Sequence, residues 1–198
     1  MRLFTLEHSK AAYRADFALY GIAVLALAVF VACAGPAEHW LLTSGWVAGG
    51  VLAWSGIEYV LHRFVLHGLQ PFVRWHAEHH QRPTALICIP TTLSALLIGA
   101  LVFAPAWLAT GPWHATALTL GVLGGYLFYA IVHHTTHHWH AGDSGWLKLW
   151  LRRRKRWHAL HHHAAQGAGF FGVTSGFWDH VFGTAFRERD QASIRSPR

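Results

Sequence analysis

Between Pro83 and Gly142 the chain contains no aspartate, glutamate, lysine or arginine. Charge is scarce elsewhere too: 13% of the 198 residues, with 9 acidic side chains against 16 Lys and Arg. Soluble domains carry roughly a quarter charged residues, so an ordinary water-facing surface is excluded. The uncharged run is long enough for two membrane helices, since one span takes about 20 apolar residues. Cysteine is nearly missing. Cys33 and Cys88 cannot make a disulfide framework, and both lie in apolar stretches, where free cysteine acts as a small packing residue. A secretory leader is not expected: Glu7, Lys10, Arg14 and Asp16 precede the first apolar run, and no small-residue cleavage site closes it.

What the chain does have is apolar surface (53% hydrophobic, 11 Trp) and 18 histidines, on the scale of one domain. Four spans can be drawn: 17–35, about 40–57, about 84–107 and 112–132. The connectors at 35–39 and 108–112 are short and contain Gly-Pro, so each joins an antiparallel helix pair. With an even number of spans, the N-terminal region, the loop between spans two and three and the region after span four share one side. Those three regions hold all 16 Lys and Arg, and the other side holds only Glu38. By the positive-inside rule both termini and the middle loop are cytoplasmic. The net charge of +7 requires no nucleic acid. RRRKR at 152–156 suits anionic lipid headgroups, with docking of an acidic electron-transfer protein as the alternative. GWLKLWLRRRKRW reads as an interfacial helix.

All histidines except His8, His39, His114 and His180 fall in four clusters where the spans end: EYVLHRFVLH, HAEHH, HHTTHHWH and HALHHH. H-x-x-H-H occurs twice, once in each half, so span, span, histidine cluster forms a loose internal repeat. Helical residues three and four apart share a face. His76, His79 and His80 can therefore converge, and so can His158, His161 and His162. His133 and His137 form an i, i+4 pair of the kind used in helical zinc sites. His62 and His67 are five apart, about 140° around an ideal helix; they bind separate metals or lie where the helix distorts. Imidazole suits Fe, Zn, Cu and Ni. Too few carboxylates are nearby for the Glu-rich set of soluble di-iron bundles. Glu58, Glu78, Asp143 and Asp179 are expected to orient ligating rings through the other ring nitrogen rather than to ligate.

Taken in order, EYVLHRFVLH, RWHAEHH, YLFYAIVHHTTHH, RWHALHHH and FGVTSGFWDHVFGT resemble the fatty acid hydroxylase / sterol desaturase superfamily of integral-membrane di-iron oxygenases, over about 55–184. The resemblance implies an all-α membrane protein of about four transmembrane helices, with a cytoplasmic helical cap carrying a histidine-rich dimetal site. The expected layout is one domain, 1–198. It comprises a cytoplasmic N-terminal segment (1–16), four spans with the first histidine clusters between spans two and three (17–132), a cap (133–184) and a polar tail (185–198). The ligands implied are His62, His67, His76, His79, His80, His133, His137, His158, His161 and His162. His134, His138 and His163 are alternatives, and Glu58, Glu78 and Asp179 are alternatives or orienting groups. Phe171–Thr184 is expected to pack as the closure of the cap, or else to line a substrate channel.

The function so implied is O2-dependent hydroxylation of a membrane lipid, a fatty acyl chain or an acyl-containing lipid. The cofactors are two iron ions, for which zinc can substitute on purification. No cytochrome b5 segment is found in the sequence, so electrons are expected from a separate ferredoxin- or cytochrome b5-type protein. Only eight residues separate His67 from His76, a compactness also similar to carotenoid ring hydroxylases. Lipid or sterol desaturation is a further alternative. A metal transporter or metal store ranks behind these, because transporters place ionisable ligands inside the spans, and here the clusters begin where the spans stop.

Overall fold

A backbone surrounded by lipid must satisfy its own N–H and C=O groups, and an apolar run does so by becoming a helix. The computed structural model describes residues 6–35, 37–139, 145–163 and 169–185. His140, Asp143 and all of the expected tail beyond 185 lie outside these described residues. The helices are α1 (Lys10–Ala34), α2 (Trp40–Val60), α3 (Phe72–Gln81), α4 (Thr91–Thr110), α5 (Pro112–His138), α6 (Trp146–His163) and α7 (Phe177–Val181). No strand occurs among the described residues; one isolated antiparallel bridge joins Glu7 to Ile87. The protein is all-α, as expected.

The helix ends differ from the expected spans for local reasons. Ser9 caps α1, its hydroxyl accepting from the Ala12 N–H at 3.2 Å, so α1 starts seven residues before position 17. The third span was expected from about 84, but α4 begins at Thr91. Pro90 precedes it with extended ψ, and the backbone of 86–88 is engaged elsewhere: the His8 N–H donates to the Leu86 carbonyl at 2.9 Å and the Cys88 N–H to the Leu6 carbonyl at 3.2 Å. Cys88 is therefore no packing residue within a span. α5 opens on Pro112, the position where a missing N–H costs nothing, and runs on to His138. The third histidine cluster is thus the end of the fourth apolar helix.

By length and composition α1, α4 and α5 can each cross a membrane. α2 is helical where the second span was expected and spans 21 residues, with Trp40, Trp46 and Trp54 and the small or polar Thr43, Ser44 and Gly45 among its apolar residues.

The chain divides into two compact units, Met1–Trp54 with Ala85–Phe128, and Ser55–Thr84 with Tyr129–Arg198. In the first, α5 is central: half of its most apolar window is buried, against 6% for α1 and none for α4. α2 and α5 meet backbone to backbone at Gly50 and Gly121, where a Cβ on Gly121 would stand 2.8 Å from the Gly50 Cα. Close approach through small residues is how apolar helices gain packing when burial from water is not available. Tyr126 joins the helices, 5.3 Å from the Trp54 ring and 4.8 Å from the Tyr20 ring. Tyr20 in turn bonds Ser94 at 2.6 Å. In the second unit α3, α6, α7 and the adjoining ends of α2 and α5 surround a core made largely of histidine.

Candidate metal centre

Ten imidazoles meet in this second unit. The ligand atoms of His62, His67, His76, His80 and His161 form one group, and those of His79, His137, His158 and His162 a second. His133 adjoins the second, its Nε2 3.1 Å from that of His79. The groups abut, with the His80 and His162 rings stacked at 4.1 Å.

Local geometry explains the sorting. After α2 the chain enters a π-helical stretch, Leu61–Leu66. Its i→i+5 turn is wider than an α-turn, so residues five apart come to one face. That distortion brings His62 and His67 into the same group, with ring centroids 5.3 Å apart. Each H-x-x-H-H motif is divided between the groups. α3 sends His76 and His80 to the first and His79 to the second; α6 sends His158 and His162 to the second and His161 to the first. On an α-helix positions i+3 and i+4 lie about 100° apart, so one motif can face two centres.

The nitrogens turned inward are Nε2. His62 Nε2 lies 3.0 Å from His76 Nε2, which lies 3.0 Å from His80 Nε2. His161 Nε2 is 3.1 Å from both His67 Nε2 and His80 Nε2. In the second group His158 Nε2 is 2.9 Å from His137 Nε2 and 3.1 Å from His162 Nε2. The Nδ1 of His62 bonds the Phe171 carbonyl, and that of His161 bonds the Gly169 carbonyl at 2.7 Å. A carbonyl only accepts, so both Nδ1 atoms carry the hydrogen and both Nε2 atoms present lone pairs. Lone pairs packed this closely repel unless a cation lies among them. Nitrogens about 2.1 Å from one ion and at right angles lie about 3.0 Å apart, which matches these separations and fits a crowded coordination shell. The residues therefore fit metal ions.

Burial also keeps the rings neutral. It is the main reason the His62 ring falls to about 3 and the His67 ring to about 4, with charge on neighbouring histidines adding to the effect. His79 and His162 fall to about 3 for the same reasons, and His76, His158 and His161 are also lowered. A neutral imidazole is the form that ligates metal.

The alternative residues stand apart. His134 and His138 stack on each other at 4.4 Å and belong to neither group. His163 is exposed. Glu78 faces solvent in an ion pair with Arg82 at 2.5 Å. Glu58 and Asp179 are buried but bond no histidine. They hold a backbone strap, 169–174. Asp179 accepts from the Phe171 and Gly172 N–H groups, both at 2.8 Å, and from the Thr184 hydroxyl at 2.7 Å. Glu58 accepts from the Val173 N–H at 2.7 Å and the Thr174 N–H at 2.9 Å. The strap supplies the Gly169 and Phe171 carbonyls that fix His161 and His62. Both acids thus act on the rings at one remove, through backbone. A Cβ on Gly172 would stand 3.0 Å from Asp179 Oδ2 and collide with the Ser175 carbonyl, so this close approach requires glycine.

The fatty acid hydroxylase family model matches residues 47–184. The chain belongs to the fatty acid hydroxylase family. The matched stretch of this hydroxylase-family chain contains all ten histidines, Glu58 and Asp179. Dihydroceramide fatty acyl 2-hydroxylase FAH2 of Arabidopsis thaliana is 37% identical over 153 residues, covering 70% of this chain and 59% of its own. Human fatty acid 2-hydroxylase is 30% identical over 154 residues, 71% of this chain and 39% of its own. This family member therefore spans about three fifths of the plant relative and less of the human one. Among solved structures, full-length scs7p, in which only the hydroxylase domain is visible, matches with a TM-score of 0.70 at 27% identity, over 86% of this chain and 67% of that one.

Proposed function

We propose that this chain is a membrane-bound di-iron hydroxylase of a fatty acyl chain, free or within a larger lipid. The observation that carries the reading is the pair of abutting histidine groups with Nε2 atoms turned inward, those of His62 and His161 left unprotonated by their Nδ1–carbonyl bonds; family membership and the activities named for the relatives support the acyl class of substrate. His62, His67, His76, His80 and His161 would hold one iron, and His79, His133, His137, His158 and His162 the other. Bound there, the irons would supply the activation of O2 and the oxidation of an acyl C–H bond. The balance is one C–H, one O2, two electrons and two protons, giving one C–OH and one water. The electrons would come from a ferredoxin- or cytochrome b5-type donor.

The chain's own residues bind, orient and shield. Neutral imidazoles leave the cations largely uncompensated, since no carboxylate joins either group among the described residues. Gly169 and Phe171 fix two rings of the first group through their carbonyls. The Phe171 ring lies 5.6 Å from the rings of both His67 and His161 and keeps water from that side. Four spans, with α2 among them, and a cytoplasmic site follow from the placement of the Lys and Arg residues. The lipid head would then rest near the Arg-rich face of α6.

A lipid mass profile of the native host tests this, with the gene intact, deleted, and restored as His161→Ala. The expected result is a lipid one oxygen heavier than its precursor that vanishes on deletion and is not restored by the variant. Loss of lipids two hydrogens lighter would instead establish desaturation, and three identical profiles would overturn lipid oxidation altogether.

A further inference from the structure

A smaller cluster of metal-ligating atoms lies in the other unit and shares nothing with the ten histidines. The Glu7–Ile87 bridge lays 6–8 along 86–88, which sets His8 beside Cys88. Asp16, on the first turns of α1, faces the same point. His8 Nδ1 lies 3.2 Å from Asp16 Oδ2. Cys88 Sγ lies 3.5 Å from His8 Nδ1 and 3.6 Å from Asp16 Oδ2. Asp16 uses its other oxygen, Oδ1, to accept from the Thr91 hydroxyl, which orients Oδ2 into the cluster. The side chains of His8 and Asp16 are 14% and 23% exposed, so the cluster is sheltered but reachable.

We propose that His8, Asp16 and Cys88 form a separate site for one zinc-class divalent cation. The separations decide the geometry. Nitrogen, oxygen and sulfur at ordinary zinc distances, arranged as a tetrahedron, are about 3.3–3.7 Å apart; the two sulfur edges, 3.5 and 3.6 Å, fall in that range and the nitrogen–oxygen edge, 3.2 Å, lies just below it. They are longer than the edges among the histidines, which fit a more crowded shell. The donor set agrees as well: thiolate with imidazole selects zinc and its soft neighbours over magnesium or calcium. Three protein ligands leave the fourth position to water or a further group. Binding forms a sulfur–metal bond and sends the Cys88 thiol proton to solvent; nothing is oxidised or reduced. The ion would staple 6–8 and 86–88 to the start of α1. This site does not depend on the hydroxylase reading.

Cobalt(II) tests it, because only a thiolate ligand gives a sulfur-to-cobalt charge-transfer band in the near ultraviolet. The full chain carrying Cys33→Ser is purified in detergent, stripped with a chelator and titrated with cobalt. The expected result is a near-ultraviolet band whose final intensity corresponds to one thiolate-bound cobalt per chain, apart from the visible bands of the histidine groups. Cys88→Ser added to this background abolishes the charge-transfer band and leaves the visible bands unchanged, which also shows that the variant is folded. His8→Ala weakens the thiolate site at least about tenfold. Absence of the band at saturating cobalt overturns the proposal, as does a band that survives Cys88→Ser or an affinity that His8→Ala does not change. In those cases the cluster is a hydrogen-bonded triad only.

Discussion

Asp179 has no exposed surface and gathers three short hydrogen bonds, two of them from consecutive backbone N–H groups. Asp179→Asn keeps the shape but turns an amide NH2 toward one of those N–H groups. Leaving buried donors unsatisfied costs about 1–3 kcal/mol each. The strap 169–174 would loosen, and with it the carbonyls on His62 and His161. Both rings belong to the first group, whereas the buried Nδ1 atoms of His79, His158 and His162 in the second have no hydrogen-bond partner among the described residues. Asp179→Asn is therefore expected to lower the unfolding temperature and to remove one metal ion per chain, leaving the second group loaded. Metal analysis and a melt of the purified variant beside the parent check this; a metal content equal to the parent's would show that the strap does not hold the first group. The sequence marked Glu58 and Asp179 as orienting groups, but their route through backbone was not legible. It depends on where the 171–174 segment returns in space, which residue spacing does not encode. The glycines of FGVTSGFWDHVFGT were the available signal, since Gly172 is needed for the carboxylate to reach the backbone.

At the scale of helices the sequence was most readable where apolar runs and histidine spacing coincide. The four expected spans are helical apart from 84–90, which precede α4, and the i, i+4 pairs His76–His80, His158–His162 and His133–His137 each face one group. The π-helical Leu61–Leu66 was legible only as an anomaly, because five-residue spacing does not fit an α-turn. The meeting of α2 and α5 at Gly50 and Gly121 had no signal in spacing alone: Gly124 lies three residues on and has open space around its Cβ position. The two glycines therefore predict opposite outcomes. Gly121→Ala drives a methyl into the α2 backbone, and overpacking costs about 1–3 kcal/mol. Gly124→Ala adds a methyl to open space and gains a little helix propensity. Melting curves in detergent should show Gly121→Ala clearly below the parent and Gly124→Ala at or above it. Equal melting temperatures for the two would rule out the backbone contact.

On the scale of the whole molecule, the two units rest on different physics. The first is apolar helix against apolar helix. The second buries His62, His76, His79, His158 and His161 where a soluble core would put leucine, and its described apolar core is small: Tyr59, Val132, Phe170, Phe171 and Val173. Metal binding must then supply much of its stability, because a ligand that binds only the folded state adds its binding free energy to folding. Stripping the metals should lower the melting temperature and speed hydrogen exchange in α3, α6 and 169–174, while the apolar parts of α1 and α4 exchange as before. The metal-free protein should also be acid-sensitive in a definite window. An unfolded histidine has a pKa of about 6.5, whereas the folded His62, His79 and His162 rings lie near 3 and His67 near 4. Below about 6.5 the unfolded chain therefore binds more protons than the folded one. The contribution of these rings is whole above that pH and drains away as pH falls toward 4 and 3. Metal-loaded protein should start from a higher melting temperature and lose that advantage in acid, because protons compete with metal for the same imidazole nitrogens. Melting temperatures measured from neutral pH downward, with and without chelator, would show two curves already separated at neutral pH, both falling below about pH 6.5, and converging at low pH as protons displace the metals. Curves that coincide across the range would mean that the histidine core folds without metal, and that the lone pairs facing one another are held apart by protein packing alone.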